Sequence, residues 1–92
     1  MTNGHLALGN VVATPGALKA LEAVQASAAA ILRRHQAGDW GDLSAEDCRL
    51  NDEAVRNGER ILSAYCLADG TRLWVITEAD RSSTCILLPE EY

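Results

Sequence analysis

The segment Arg60 to Leu88, RILSAYCLADGTRLWVITEADRSSTCILL, leaves this chain little choice of local structure. Ile61, Ser63, Tyr65 and Leu67 alternate with Leu62, Ala64 and Cys66, and Leu73, Val75 and Thr77 alternate with Arg72, Trp74 and Ile76. A period of two over such a length marks a strand rather than a helix. Ala68-Asp69-Gly70 between the two runs suits positive φ and predicts a tight antiparallel hairpin. Cys85–Leu88 is a short apolar run, read as a third strand. Everything before residue 60 must then supply a cover for this meander.

The chain has 92 residues, read as a single domain spanning 1–92. Phenylalanine is absent and there are two Trp and two Tyr, so the core must come mainly from Leu, Ile, Val and Ala. Such a core is small, and dimerisation through a sheet edge or a helix face would add burial to it.

Charge narrows the partners. Residues 1–38 hold Lys19, Arg33 and Arg34 against Glu22, a local +2, whereas residues 39–92 hold twelve carboxylates against five arginines, a local −7. The net charge of −5 repels phosphate backbones, so direct nucleic-acid binding is not expected. No apolar run approaches membrane-spanning length, and no basic segment followed by an apolar core marks a signal peptide. These features predict a cytoplasmic protein that does not enter a membrane. Cys48, Cys66 and Cys85 lack any C-x-x-C pairing and read as free thiols of a reducing compartment, Cys66 and Cys85 packed inside strands.

Leu6–Ala13 reads as a short strand ending at Thr14-Pro15-Gly16, where Thr14 is a good N-cap and Pro15 suits the first helical position. Leu18, Leu21, Val24, Ile31, Leu32 and His35 follow nearly one helical face, compatible with a single helix to Gln36 or with two helices, Ser27 capping the second. Ser44 caps a further helix over Ala45–Asn57 with Gly58 after its end. Its apolar stripe, Cys48, Leu50, Ala54 and Val55, is thin, and residues 39–59 carry a local −5. The predicted fold is therefore α+β: a short N-terminal strand, two to three helices, then a three-stranded antiparallel meander, with helices packed on one face of a mostly antiparallel sheet.

Two polar loops at element ends are candidate binding sites: His35, Asp39, Trp40 and Asp42 in the first, and Glu78, Asp80 and Arg81 followed by Ser82, Ser83 and Thr84 in the second. If the loops meet, His35 could act as a base and Arg81 as an anion clamp. Each residue also has a structural reading. His35 would be packed or capping, and Trp40 a plug whose indole N–H reaches a carbonyl. Asp39 and Asp42 would hold turns, and Asp80 with Arg81 would form a loop ion pair. No metal or cofactor is expected, since His5 and His35 have no ligand-spaced partners.

The segments VVATPGAL, RHQAGDWGDL, ERILSAYCLADGTRLWVITEADRSST and ILLPEEY together resemble a family of small uncharacterised bacterial proteins found on plasmids, integrative elements and integron cassettes. Its members often carry the label of a type I restriction enzyme subunit. This chain has no glycine-rich cofactor loop and is too short for a methyltransferase core, so the label does not fit it. The resemblance implies a break near Ser27 and transfers no functional residue. The order of elements is also similar to that of RelE-like ribonuclease toxins, but those are typically basic, and only Arg60, Arg72 and Arg81 stand near this sheet. The expected function is a non-enzymatic protein-interaction module encoded on mobile DNA, with an acidic decoy for a nucleic-acid-binding or defence protein as its sharper form. The alternative is a small enzyme or ligand binder using the loops around His35–Asp42 and Glu78–Thr84.

Overall fold

The structure, a computed structural model, describes residues 6–92; His5 and the start of the segment read for a leader lie outside the described residues. Strand β1 (Asn10–Ala13) is followed by helices α1 (Pro15–Ala23), α2 (Ala28–Gln36) and α3 (Ala45–Asn57). Strands β2 (Ile61–Cys66), β3 (Arg72–Thr77) and β4 (Ser83–Leu87) come next, and a 3-10 turn over Pro89–Glu91 ends the chain.

The meander forms as its alternation requires, β2 pairing antiparallel with β3 and β3 with β4. In the hairpin loop the Leu67 N–H donates to Thr71, the Gly70 N–H donates to Leu67, and the Asp69 carboxylate accepts from the Thr71 amide. The third strand starts at Ser83, ahead of the apolar run, because the Thr84 hydroxyl finds partners inside the protein.

The sheet as a whole is mixed, in the order β1-β4-β3-β2, with β1 parallel to β4. The expectation of a mostly antiparallel sheet thus holds only for the meander. β1 feeds directly into the helices that cross the sheet, so it runs in the same direction as the last strand beside which it lies. β1 is also shorter than the run Leu6–Ala13 suggested. Gly9 adopts φ 63 and turns the chain. Leu6 turns inward, buried, with its N–H donating to the Gln36 carbonyl.

Two helices replace the single helix that periodicity allowed. The chain leaves α1 through Gln25 at φ 55, and the Ser27 hydroxyl accepts from the Ala30 amide to start α2. Ala17 and Leu21 of α1 and Ile31 of α2 pack on Tyr65, Leu67, Leu73, Val75 and Ile86, one face of the sheet. A second cluster, Leu6, Trp40, Ala54 and Ile61, closes the end where α3 meets β2.

Both sides of the β2 edge are accounted for. Beyond β3, its free side is covered by residues 40–42, where the Ala64 N–H donates to the Trp40 carbonyl and the Asp42 N–H donates to Ala64. The Asn51 side-chain amide donates to the Leu62 carbonyl at 2.7 Å. Asn51 therefore occupies the buried position of α3 with Ala54, while Leu50 and Val55 are 47% and 42% exposed, contrary to the stripe read from sequence. A polar amide is preferred there because an unpaired edge carbonyl would be costly to bury.

The other sheet face carries Leu62, Ala64, Trp74, Ile76 and Leu87 by alternation. Tyr92 packs edge-on against Trp74 at 5.7 Å between centroids, with the Arg60 guanidinium 5.2 Å from the Tyr92 ring. Cys66 and Cys85 lie on this face. Cys66 is exposed and Cys85 half-buried, so neither is the fully packed strand thiol expected. No helix of the described residues is long and apolar enough to cross a membrane.

Candidate functional site

Of the two polar segments singled out in the sequence, only His35 of the first and Thr84 of the second are linked, through Thr77 and inside the core. His35, on the last turn of α2, is fully buried between β2 and β3. Its Nδ1 lies 2.5 Å from the Ser63 hydroxyl and its Nε2 2.8 Å from the Thr77 hydroxyl. Thr77 in turn lies 2.8 Å from the Thr84 hydroxyl, which donates to the Leu8 carbonyl at 2.8 Å.

The carbonyl at the end fixes the direction of every proton in the chain. Thr84 gives its only hydroxyl hydrogen to Leu8, so it accepts from Thr77; Thr77 then accepts from His35. Nε2 must therefore carry the ring hydrogen, and Nδ1 accepts from Ser63. Both ring nitrogens are spent on this relay. Burial lowers the His35 pKa to about 4, so the ring is neutral at neutral pH. A sealed, neutral histidine with no open nitrogen has nothing to offer a substrate, and the relay instead couples α2, the meander and the segment before β1.

Asp39, Trp40 and Asp42 build the strap along β2. The Asp39 carboxylate takes the Arg34 guanidinium at 2.7 Å and the Gly41 amide at 3.2 Å, and the Arg34 hydrogen bond holds its pKa below the usual carboxylate range. Arg34 also lies over the Tyr65 ring at 4.7 Å, and the Tyr65 hydroxyl donates to the Asp39 carbonyl. Trp40 plugs the second cluster, as its setting between glycines suggested. Its indole N–H, however, donates to the Asp52 carboxylate rather than to a carbonyl, because α3 brings Asp52 alongside. Asp42 joins the strap by its backbone, while its side chain is exposed.

Arg81 is not placed as an anion clamp. It adopts φ 62 and its guanidinium donates to the carbonyls of Ala54, Glu59 and Glu78 at 2.7 to 3.1 Å, fastening the end of α3 to the β3–β4 loop. Asp80 does not pair with it; the Asp80 carboxylate accepts from the Ser82 amide. Glu78 faces Arg60 at 3.7 Å. Arg81→Ala is expected to lower stability by roughly 1.5 to 3 kcal/mol, the range for hydrogen bonds from a charged donor. Arg81→Lys should recover less than half of that in a denaturant titration, since an ammonium cannot span the three carbonyls as a planar fork does.

The concave features lie elsewhere, on the two flanks of α3. On one flank a groove of about 280 Å³ is lined by Leu43, Asp47, Leu50, Asn51 and Leu62. On the other a cavity of about 330 Å³ lies against Trp40, with Leu6, Asp52, Val55 and Arg56 among its walls. Of the seven candidates from sequence, only Trp40 touches either. Leu50 and Val55 were missed as surface residues because an apolar residue on an amphipathic helix reads as core. The available signal was the thinness of the stripe, which leaves too little room to bury all four of its members.

Carboxylates of α3 and of the segment before it differ in availability, and of these Asp47 lines the first groove. Glu46 and Glu53 are held by Arg49 at 2.7 and 2.8 Å. Asp42 and Asp47 have no ion-pair partner among the described residues. Nor do three His, Cys, Asp or Glu side chains converge as a metal site would need among the described residues. Comparison with known protein families, curated proteins and solved structures finds no match to this chain.

Proposed function

We propose that this chain is a non-enzymatic protein-interaction module, carried on mobile DNA as its sequence resemblance implies, that binds a basic partner protein along α3. The observation that supports this reading is the groove between α3 and β2. Leu43, Leu50 and Leu62 offer it an apolar floor, and Asp47 lines it with a carboxylate that has no ion-pair partner among the described residues. The matching partner segment carries an apolar anchor for the leucines and Lys or Arg on both sides of it. A partner whose basic surface normally grips phosphates would meet here a row of carboxylates instead, which is the decoy form of the same reading.

The test is affinity capture from the native host's lysate with wild type, Leu50→Asp and Asp47→Asn. One protein should be held at near-equal stoichiometry by wild type in low salt, released as salt rises, and lost by at least tenfold with either variant. Capture that ignores both salt and these substitutions would overturn the reading. A second reading, a small-ligand binder, is favoured by the cavity beside Trp40, whose volume lies in the range of small-molecule sites. A ligand that raises the melting temperature of wild type but not of Arg56→Ala would support it.

A further inference from the structure

The two edges of the sheet are treated differently. β2 is closed by the 40–42 strap and by Asn51, whereas β1 has β4 on one side and no partner on the other among the described residues. The amides of Asn10 and Thr14 donate to the Ser82 and Ile86 carbonyls of the β4 side. By strand alternation the N–H and C=O groups of Val11 and Ala13 therefore point outward. Val11 and Val12 are 45% and 54% exposed. The edge is short, but residues 10–13 contain no proline, lysine or other charge to block pairing.

We infer that β1 is a self-association edge, on which a second copy of this chain pairs antiparallel about a two-fold axis to give a continuous eight-stranded sheet. Charge selects a second copy. The chain carries −5, yet residues 6–18 contain no charged side chain, and the Glu91 carboxylate at the end of the strand is taken up by the Thr14 hydroxyl, so two acidic molecules meet here with little like-charge repulsion. Geometry selects the register. Gly9 at φ 63 ends the strand on one side and Pro15, without an amide hydrogen, on the other. Outward groups come only from Val11 and Ala13, and the one symmetric register that uses all of them pairs Val11 with the partner's Ala13 and Ala13 with the partner's Val11. Val12 then stands opposite its own copy as a non-hydrogen-bonded pair, Cα atoms about 4.5 Å apart. Val11 meets its own copy only diagonally, at roughly 8 Å. Four edge hydrogen bonds and one Val12–Val12 contact make a small interface, so the dimer is a reversible one.

Three measurements read this out on the full chain. Sedimentation equilibrium of wild type should show a concentration-dependent dimer, with Val12→Lys monomeric at the same concentrations and unchanged in its melting curve. In amide exchange, Val11 and Ala13 should gain at least tenfold protection as concentration rises, while Val12, already bonded to β4, should not. In a Cys66→Ser/Cys85→Ser background, which also removes the thiol on β4 that faces position 12, Val12→Cys should oxidise to a dimer whose linking peptide maps to residue 12, and Val11→Cys should not, since its pair lies beyond disulfide reach. A chain that stays monomeric with unprotected Val11 and Ala13 amides overturns the inference and leaves the edge to a strand of another protein. A dimer that survives Val12→Lys, or one that cross-links equally from positions 11 and 12, overturns it as well. Because the α3 variants leave β1 untouched, loss of partner capture and loss of the dimer are separable.

Discussion

His35→Ala is expected to remove about half of the stability of the fold. The substitution removes a fully buried ring and strands the Ser63 and Thr77 hydroxyls without their partner. A cavity plus two unsatisfied groups costs about 3 to 5 kcal/mol, against a total of about 5 to 10 kcal/mol for a chain of this size. Urea titration at pH 7 would show the midpoint collapse. The triple variant His35→Leu/Ser63→Ala/Thr77→Val should recover most of the loss, because it removes donors and acceptors together and leaves Thr84 bonded to Leu8.

The same ring predicts how the protein answers to acid. Its folded pKa, about 4, lies below the ordinary value of 6.5, so the unfolded chain binds a proton more readily than the folded one. Stability is therefore full above pH 6.5, falls as pH drops from 6.5 towards 4, and levels below that, a loss of about 3 kcal/mol. Wild type should show this slope in denaturant titrations across the window, and the triple variant should lose most of it between pH 5 and 6.5, above the carboxylate range. A wild-type profile flat between pH 4 and 6.5 would mean that the ring is not sealed.

Gly41→Ala is the second large effect. Gly41 adopts φ 77, and a Cβ there would run into the Ala64 carbonyl and the Tyr65 ring. Neither obstacle is a flexible side-chain end, so the strap itself must lift. Lifting it breaks the backbone bonds of Trp40 and Asp42 with Ala64 and opens the β2 edge. Left-handed strain of about 1 kcal/mol, two lost edge bonds and the displaced Trp40 plug together cost roughly 3 to 5 kcal/mol. Thermal melts would show it directly. A Gly41→Ala variant that melts within a few degrees of wild type would show that the strap is dispensable.

What the chain displays in its sequence is whatever is decided locally. The hairpin at Ala68–Gly70, the caps at Thr14, Ser27 and Ser44 and the end of α3 at Gly58 all rest on residues within a few positions of each other, and all form. Distant pairings leave no such mark. Nothing near Val11 announces that β1 lies parallel to β4, and nothing near Arg81 announces that it reaches the carbonyl of Ala54. His35 shows the intermediate case. Its place on the apolar side of α2 marked it for burial, but Ser63, Thr77 and Thr84 as its relay had to come from strands whose order was set by packing. Leu50 failed for the opposite reason, an apolar residue in a helix being taken for core until Asn51 is seen to fill that place.

The relay and the β1–β4 pairing also set a clock for the nascent chain. The Thr84 hydroxyl and the Leu8 carbonyl that receives it are 76 residues apart in sequence. At synthesis rates of roughly 5 to 20 residues per second, the first strand emerges on the order of 4 to 15 s before the one it must lie beside. Over that interval α1 and α2 have no sheet to cover, so no N-terminal portion can fold stepwise and hold. Assembly is postponed until the last strand is made, and then the whole protein closes at once.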